Sequence, residues 1–291
     1  MTIIAADTTC GLSRQVLEQR GIPVVPQVVI FGDQSYHDDG ELDTAEFLKK
    51  LKASRSLPKT AAPEPALYFP IFERARDRGE SVVVIAPSAK ISGTVRSALT
   101  AAEEFPGMDI RVVDTLTVSC NLGSLVLVAD DMAKSGSTAS EIERAIQEMI
   151  PRGRLYFVVD TLEYLAKGGR IGGARALLGE LIQIKPILTI REGQAEAYEQ
   201  QRTRKHSLSR LIEIVETQCQ KSEASHLAVI QVAAEDEAAA LADTLKSRMG
   251  LPEVPIYQLP PAIVVHGGPG AMGVGFFVEA ASGAGAELAA S

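Results

Sequence analysis

Short apolar runs alternate with amphipathic stretches through the first half of the chain. Ile3 to Ala6 reads as a short buried strand, and Val24 to Phe31 as a second apolar run. Asp43 and Glu46 stand at capping-box spacing ahead of Phe47 and Leu51, which predicts a helix from Asp43. Pro65 to Arg78 predicts another helix, with proline admitted in its first turn. Val82 to Ile85 is an unbroken β-branched run of the kind found in a parallel sheet covered on both faces. A helix over Gly93 to Glu104, a strand over Ile110 to Val113 and a helix from Thr138, capped with Glu141, to Ile150 continue the rhythm. This alternation predicts an α/β domain with a mostly parallel sheet.

Past Pro151 the pattern changes. Leu155 to Val159 reads as a strand, and Asp160 with Glu163 again has capping-box spacing. Leu162 and Leu165 give that helix its buried stripe, Gly168-Gly169 ends it through a left-handed residue, and a second helix is expected from Ala174. Pro186 to Ile190 and Ala195 to Glu199 read as a hairpin turning at Glu192-Gly193. Helices over Ser207 to Cys219 and Glu235 to Met249, and strands at His226 to Val232, Ile256 and Gly273 to Val278, complete an α+β domain with a mixed or antiparallel sheet. The expected division is an N-terminal domain over 1–152, a C-terminal domain over 153–280 and a disordered tail over 281–291, where ASGAGAELAAS lacks bulky groups and periodicity.

Composition narrows the function. Only 5% of the residues are aromatic and none is tryptophan, so the core is aliphatic and few faces exist for stacking bases. A formal charge of −8 leaves no basic footprint for phosphate backbones, which excludes nucleic acid as the expected partner. Cys10, Cys120 and Cys219 are far apart and lack metal-ligand spacing, so free thiols in a reducing cytoplasm are expected. MTIIAADTTC has no basic leader and reads as a strand. The uncharged runs Thr115 to Ala129 and Leu259 to Val278 are broken by Asn, Gly or Pro, so no integral membrane segment is expected.

Four segments carry candidate chemistry. In KTAAP, Thr60 lies in a loop, where its hydroxyl either binds a ligand oxygen or satisfies backbone groups near the next helix. KISGT follows the strand VVVIAPS, so Ser92 stands at a strand-loop-helix turn, as an anion contact or as an N-cap. HGGPG follows the run AIVV, read as a strand, and its tight turn presents the His266 imidazole to a neighbour. Arg170 sits between glycine pairs, where a guanidinium suits an anion or a partner protein. Asp7 and Asp114 end strands and are expected to cap the turns that follow. Lys185, Arg202 and Arg204 are expected to be solvated. P-loop, nucleophile-elbow, HExxH and cofactor motifs are missing, so neither metal nor cofactor is expected.

Taken in order, ADTTCGL, KTAAP, KISGTVRSA, VVDT, DTLEYLAKGGRI, IKPIL, RTRK and HGGPGAMG resemble the serial motifs of the DegV family, from about Thr2 to Val278. The resemblance implies a two-domain cytoplasmic protein that holds one long-chain fatty acid in a buried tunnel between the domains. It implies a partner as well, the catalytic subunit of a bacterial fatty acid kinase, which phosphorylates the presented carboxylate to an acyl phosphate. It leaves room for transient membrane contact. The family's carboxylate contacts match Thr60, Ser92 and His266, and its GGRI arginine matches Arg170, expected at the partner-docking or ligand-exit face. Two departures stand out: Thr60-Ala61-Ala62-Pro63 replaces the usual T-S-Q-P, and Val95 replaces an aromatic after SGT. The competing readings are a serine hydrolase or acyltransferase using Ser92 with His266, and a sensor of another apolar acid.

Overall fold

The computed structural model describes residues 1–178 and 184–280. The expected disordered tail therefore lies outside the described residues. The first half contains β1 (Thr2–Asp7), α1 (Arg14–Arg20), β2 (Val24–Val25), β3 (Val28–Phe31) and β4 (Gln34–His37). It continues through α2 (Thr44–Ala53), β5 (Lys59–Ala61), α3 (Phe69–Arg78), β6 (Ser81–Ala86), α4 (Thr94–Glu103), β7 (Ile110–Asp114), α5 (Cys120–Lys134) and α6 (Ala139–Met149). Strands β2-β1-β6-β7 form a sheet in that order, every pair parallel. Its strands alternate as a doubly covered sheet must. Ile4, Val83 and Ile85 pack with Leu122, Leu125, Ile142 and Ile146 of α5 and α6, while Ala5, Val82 and Val84 pack with Tyr68, Phe72 and Ala98 on the opposite face.

Pro26 divides the predicted run Val24 to Phe31. Lacking a backbone N–H, it ends β2 in the parallel sheet, and β3 then starts a separate antiparallel sheet of order β4-β3-β5. Thr60 consequently lies on β5, paired with Val29, and not in a loop. The predicted helix from Pro65 is a 3₁₀ turn over Pro65–Tyr68 running into α3. Helix α5 coincides with much of the uncharged run from Thr115, and with α1 it was not anticipated from the pattern. Asp43 caps α2 by accepting from Glu46 N–H, and Thr138 starts α6 with Glu141 in a full capping box.

The second half holds β8 (Gly153–Val158), α7 (Glu163–Lys167), β9 (Ile187–Arg191), β10 (Gln194–Glu199), α8 (Arg204–Gln218), β11 (Ala228–Gln231), α9 (Glu235–Met249), β12 (Ile256–Gln258), α10 (Pro261–Gly267) and β13 (Met272–Phe277). The sheet order is β10-β9-β8-β13-β11-β12, antiparallel except for the β11–β12 edge. Helices α8 and α9 cover one face through Leu211, Ile214, Leu241 and Leu245. Leu155, Leu188 and Ile230 on the other face meet α7, α10 and the segments beside them.

Three local readings change. Glu163 N–H is capped by the Thr161 hydroxyl at 3.2 Å, while Asp160 pairs with Arg204 at 3.0 Å, so the expected Asp160 cap does not form. From Gly172 to Leu177 the chain makes a 3₁₀ turn in place of the helix expected from Ala174. AIVV is helical, not extended: Pro261 starts α10, and His266 sits in its last turn. A short apolar run buried on every side does not by itself distinguish strand from helix.

Candidate functional site

Parallel strands β1 and β6 are neighbours whose onward connections leave in opposite directions, β1 to β2 and β6 to β7. Such a switch point leaves a crevice outside the carboxyl ends of the strands. Here the crevice opens into a cavity of about 980 Å³, counting its mouth. One side is polar and comes from the sheet's carboxyl edge and β5: Thr9, Gln27, Thr60, Ser92 and Ser119. The opposite side is aliphatic and aromatic, with Leu155, Phe157, Ile190 and Ile230 from the second sheet and Leu259 and Ile263 around α10. Among the described residues no group of His, Cys, Asp or Glu is arranged to hold a metal ion, and no helix is long and apolar enough to cross a membrane.

Thr60, Ser92, His266 and Arg170 all line this one cavity. His266 Nε2 lies 2.9 Å from Thr60 Oγ1, joining α10 to β5. The residue is half-buried, but Nδ1 is shut off from water and has no hydrogen-bond partner. Burial, with a smaller contribution from the Arg170 charge, pushes the imidazole down to about 4, so it is neutral near pH 7. A buried N–H without a partner is costlier than a bare lone pair against carbon. The neutral tautomer assigned on that basis carries its proton on Nε2, donates to Thr60, and leaves the Thr60 proton to point into the cavity.

Two glycines make this packing possible. A Cβ on Gly168 would collide with His266 Nδ1, and one on Gly268 would collide with the Tyr164 ring. The GGR and HGGPG segments thus interlock, each bringing a glycine against the other's ring. Arg170 follows directly. Its Nε donates to the Ile91 carbonyl at 3.0 Å and Nη1 to the Gly168 carbonyl at 2.8 Å, which ties α7's exit to the Ser92 loop. No carboxylate pairs with it among the described residues, so its charge remains available at a half-buried position on the cavity.

Ser92 Oγ lies 2.9 Å from Thr94 Oγ1 and accepts from the Thr94 backbone N–H at 3.3 Å. It makes no hydrogen bond to His266, whose Nε2 belongs to Thr60, so the serine–imidazole pair that nucleophilic catalysis requires is not formed. Behind Ser92 is a buried polar cluster that the sequence reading did not identify. Thr94 donates to Asp7 at 2.8 Å, and Gln27 Nε2 reaches both of them. Asp7 therefore does more than cap its turn, although it also accepts from Thr9 N–H as expected of a cap. Asp114 keeps to the local role, accepting from Ala89 and Leu116 N–H. Gln27 gave no signal, being a single glutamine after a proline. Thr94 stood within KISGT but reads there as a helix's first residue.

Arg204 is not simply solvated: it joins Asp160, Glu237 and the Gly270 carbonyl. Lys185 donates to the Asp160 carbonyl. Cys10, Cys120 and Cys219 are free and buried, and burial raises the thiols of Cys10 and Cys120 to about 12, which makes them poor nucleophiles.

Comparison with known proteins agrees with this architecture. The DegV family model, described as uncharacterised protein, DegV family, matches residues 1–279. A DegV domain-containing protein of Streptomyces coelicolor is 36% identical, over 93% of this chain and 96% of that one. The structure from Thermus thermophilus reported as fatty acid binding of a DegV family protein has a TM-score of 0.86 and 30% identity, covering 96% of this chain and 99% of that chain. DegV of Bacillus subtilis, reported as a fatty acid binding protein, has a TM-score of 0.84 and 30% identity with the same coverage. With a family match over nearly its whole length and structural relatives of TM-score 0.84 to 0.86, the chain belongs to the DegV family.

Proposed function

We propose that the chain binds one long-chain fatty acid in this cavity and presents its carboxylate to a separate kinase, which converts it to an acyl phosphate. One observation carries the reading: a cavity walled largely by hydrocarbon side chains brings together the hydroxyls of Thr60 and Ser92 and the His266 ring. Related structures described as fatty acid binding support the ligand class. Each buried methylene contributes roughly 0.8 kcal/mol, so a chain of about sixteen carbons supplies on the order of 10 kcal/mol before the entropy of binding is subtracted. The tail then accounts for affinity, and the head contacts fix position. Two hydroxyls, one of them oriented by a neutral imidazole, hold a carboxylate without a salt link, which leaves its oxygen nucleophilic toward a phosphoryl donor.

In this reading residues 1–152 and 153–280 act as two domains with the ligand between them, in the cytoplasm. Arg170 stands on the side offered to the kinase. The test is denaturing extraction of the purified chain, with mass spectrometry of the organic phase, followed by phosphorylation assays with the kinase and ATP. A stoichiometric fatty acid that becomes an acyl phosphate is the expected result. An empty extract from a chain that takes up neither oleate nor palmitate would refute it.

A further inference from the structure

We propose that Asp7 is a positioning residue for the ligand's head: its neutral form turns the Ser92 hydroxyl toward the cavity, so that a carboxylate binds there together with a proton. The inference rests on the carboxylate-binding reading above. Asp7 ends β1 and is fully buried. Its Oδ1 accepts from the Thr9 N–H at 3.0 Å and from the Thr9 hydroxyl. Its Oδ2 faces Gln27 Nε2 and, at 2.8 Å, Thr94 Oγ1. Thr94 Oγ1 in turn lies 2.8 Å from Gln27 Nε2 and 2.9 Å from Ser92 Oγ. Asp7, Thr94, Ser92 and the cavity are thus linked in one line.

A threonine hydroxyl has one proton and two lone pairs, and the Gln27 amide occupies one lone pair. With Asp7 ionised, the carboxylate only accepts, so the Thr94 proton points at Asp7. The remaining lone pair of Thr94 then takes the Ser92 proton. Ser92 is left showing lone pairs to the cavity, the wrong polarity for a carboxylate. With a proton on Asp7 Oδ2 the line reverses. Asp7 donates to Thr94, Thr94 donates to Ser92, and the Ser92 proton is free for the ligand. Both arrangements satisfy Thr94 fully, but only the second makes Ser92 a donor without sacrificing a bond.

The surroundings favour the second arrangement once an anion arrives. No cation pairs with Asp7 among the described residues. Its charge is felt by Asp38, Cys10 and Tyr68, none of them positive. Across the cavity stand neutral His266 and Arg170, the latter held on backbone carbonyls. Burial holds the Asp7 carboxyl above its usual range, and a second negative charge nearby raises it further. The ligand enters as its anion, water supplies the proton to Asp7 Oδ2, and no bond between heavy atoms changes.

The test is calorimetry of the delipidated full chain with laurate, around pH 8, in two buffers of unequal ionisation enthalpy. Proton uptake on laurate binding is expected, with affinity falling as pH rises. Asp7→Asn, whose amide donates to Thr94 once Gln27 turns over, should bind laurate without proton uptake and with an affinity that no longer falls as pH rises. Thr94→Val keeps the shape but removes the acceptor of the Ser92 proton, which is then free for the ligand whatever the state of Asp7, so it should bind laurate with neither proton uptake nor pH dependence. Thr94→Ser should restore both. Laurate binding by wild type without proton uptake overturns the proposal, as does proton uptake that persists in Thr94→Val. A wild-type chain that binds no fatty acid at all would sink the carrier reading too, and is distinguishable from binding without a proton.

Discussion

The two walls of the cavity are built on opposite principles. The polar wall comes from ends of elements: the turn after β1, the residue between β2 and β3, the edge strand β5, the loop after β6 and the last turn of α10. Each contributes one or two groups, oriented by another group behind them, as Thr60 is by His266 and Ser92 by Thr94. The apolar wall comes from the middles of strands, where Leu155, Phe157, Ile190 and Ile230 project from a rigid sheet. The first wall specifies where an atom sits; the second only excludes water. Damage to either should therefore look different: loss of affinity from the apolar side, loss of placement from the polar side.

The largest effect should come from charging the apolar wall. Ile190 is half-buried on β9 and faces the cavity. In Ile190→Lys an ammonium stands against hydrocarbon with no acid opposite, and fatty acid binding should weaken by at least about a hundredfold. The fold should survive, because Ile190 packs on the edge of its core cluster and is not enclosed by it. Fluorescent fatty acid displacement, with circular dichroism as control, measures both. Binding within about tenfold of wild type would show that the tail does not lie along this wall.

The same contrast explains what was legible in the sequence. Polar-wall residues sit in glycine- and hydroxyl-rich turns at the ends of apolar runs, so KTAAP, KISGT, KGGRIGG and HGGPG stood out as segments. Their pairing did not, because the Thr60–His266 contact spans residues far apart in sequence and depends on Gly168 leaving room for a ring. The apolar wall was invisible: Ile230 and Leu155 read as core strand residues, and nothing local separates a side chain facing a cavity from one facing a helix. The strand-helix rhythm gave the parallel sheet well, yet the small antiparallel sheet was missed, since Pro26 hid a change of sheet within one apolar run. Asp7 looked like a turn cap and is one, but its second oxygen serves partners that come together only in the fold.

An intermediate effect tests the polar wall as a unit. Thr60→Val and His266→Ala each remove one end of a 2.9 Å hydrogen bond at the head position. Each should weaken binding by about tenfold, in line with one lost hydrogen bond to a charged group. Because the imidazole orients the hydroxyl, the double variant should be little worse than either single one. Phosphorylation by the kinase should fall further than binding, since a loosely placed carboxylate is a poor nucleophile. Additive losses, about a hundredfold in the double variant, would show that the two groups contact the ligand independently.

The smallest effect is on stability alone and tells two buried groups behind the polar wall apart by pH. His266, behind the head position, is lowered from 6.5 to about 4, so the unfolded chain binds its proton first as pH falls. Its contribution is present above about pH 6.5 and is lost as pH falls toward about 4. Asp38 behaves in the opposite sense. It accepts from the Thr8 hydroxyl and the Gln27 N–H, and burial raises it from 3.8 to about 6. Its contribution is therefore present below about pH 3.8 and is lost as pH rises through about 6. Within this window the two oppose each other, and the wild-type profile hides both. Differences from variants expose them: stability of wild type relative to Asp38→Asn should fall from about pH 4 to about pH 6, whereas relative to His266→Gln it should rise over much the same range. Urea denaturation across that window measures both slopes. Parallel slopes would mean that one of the two groups is more open to water than its place in the fold implies.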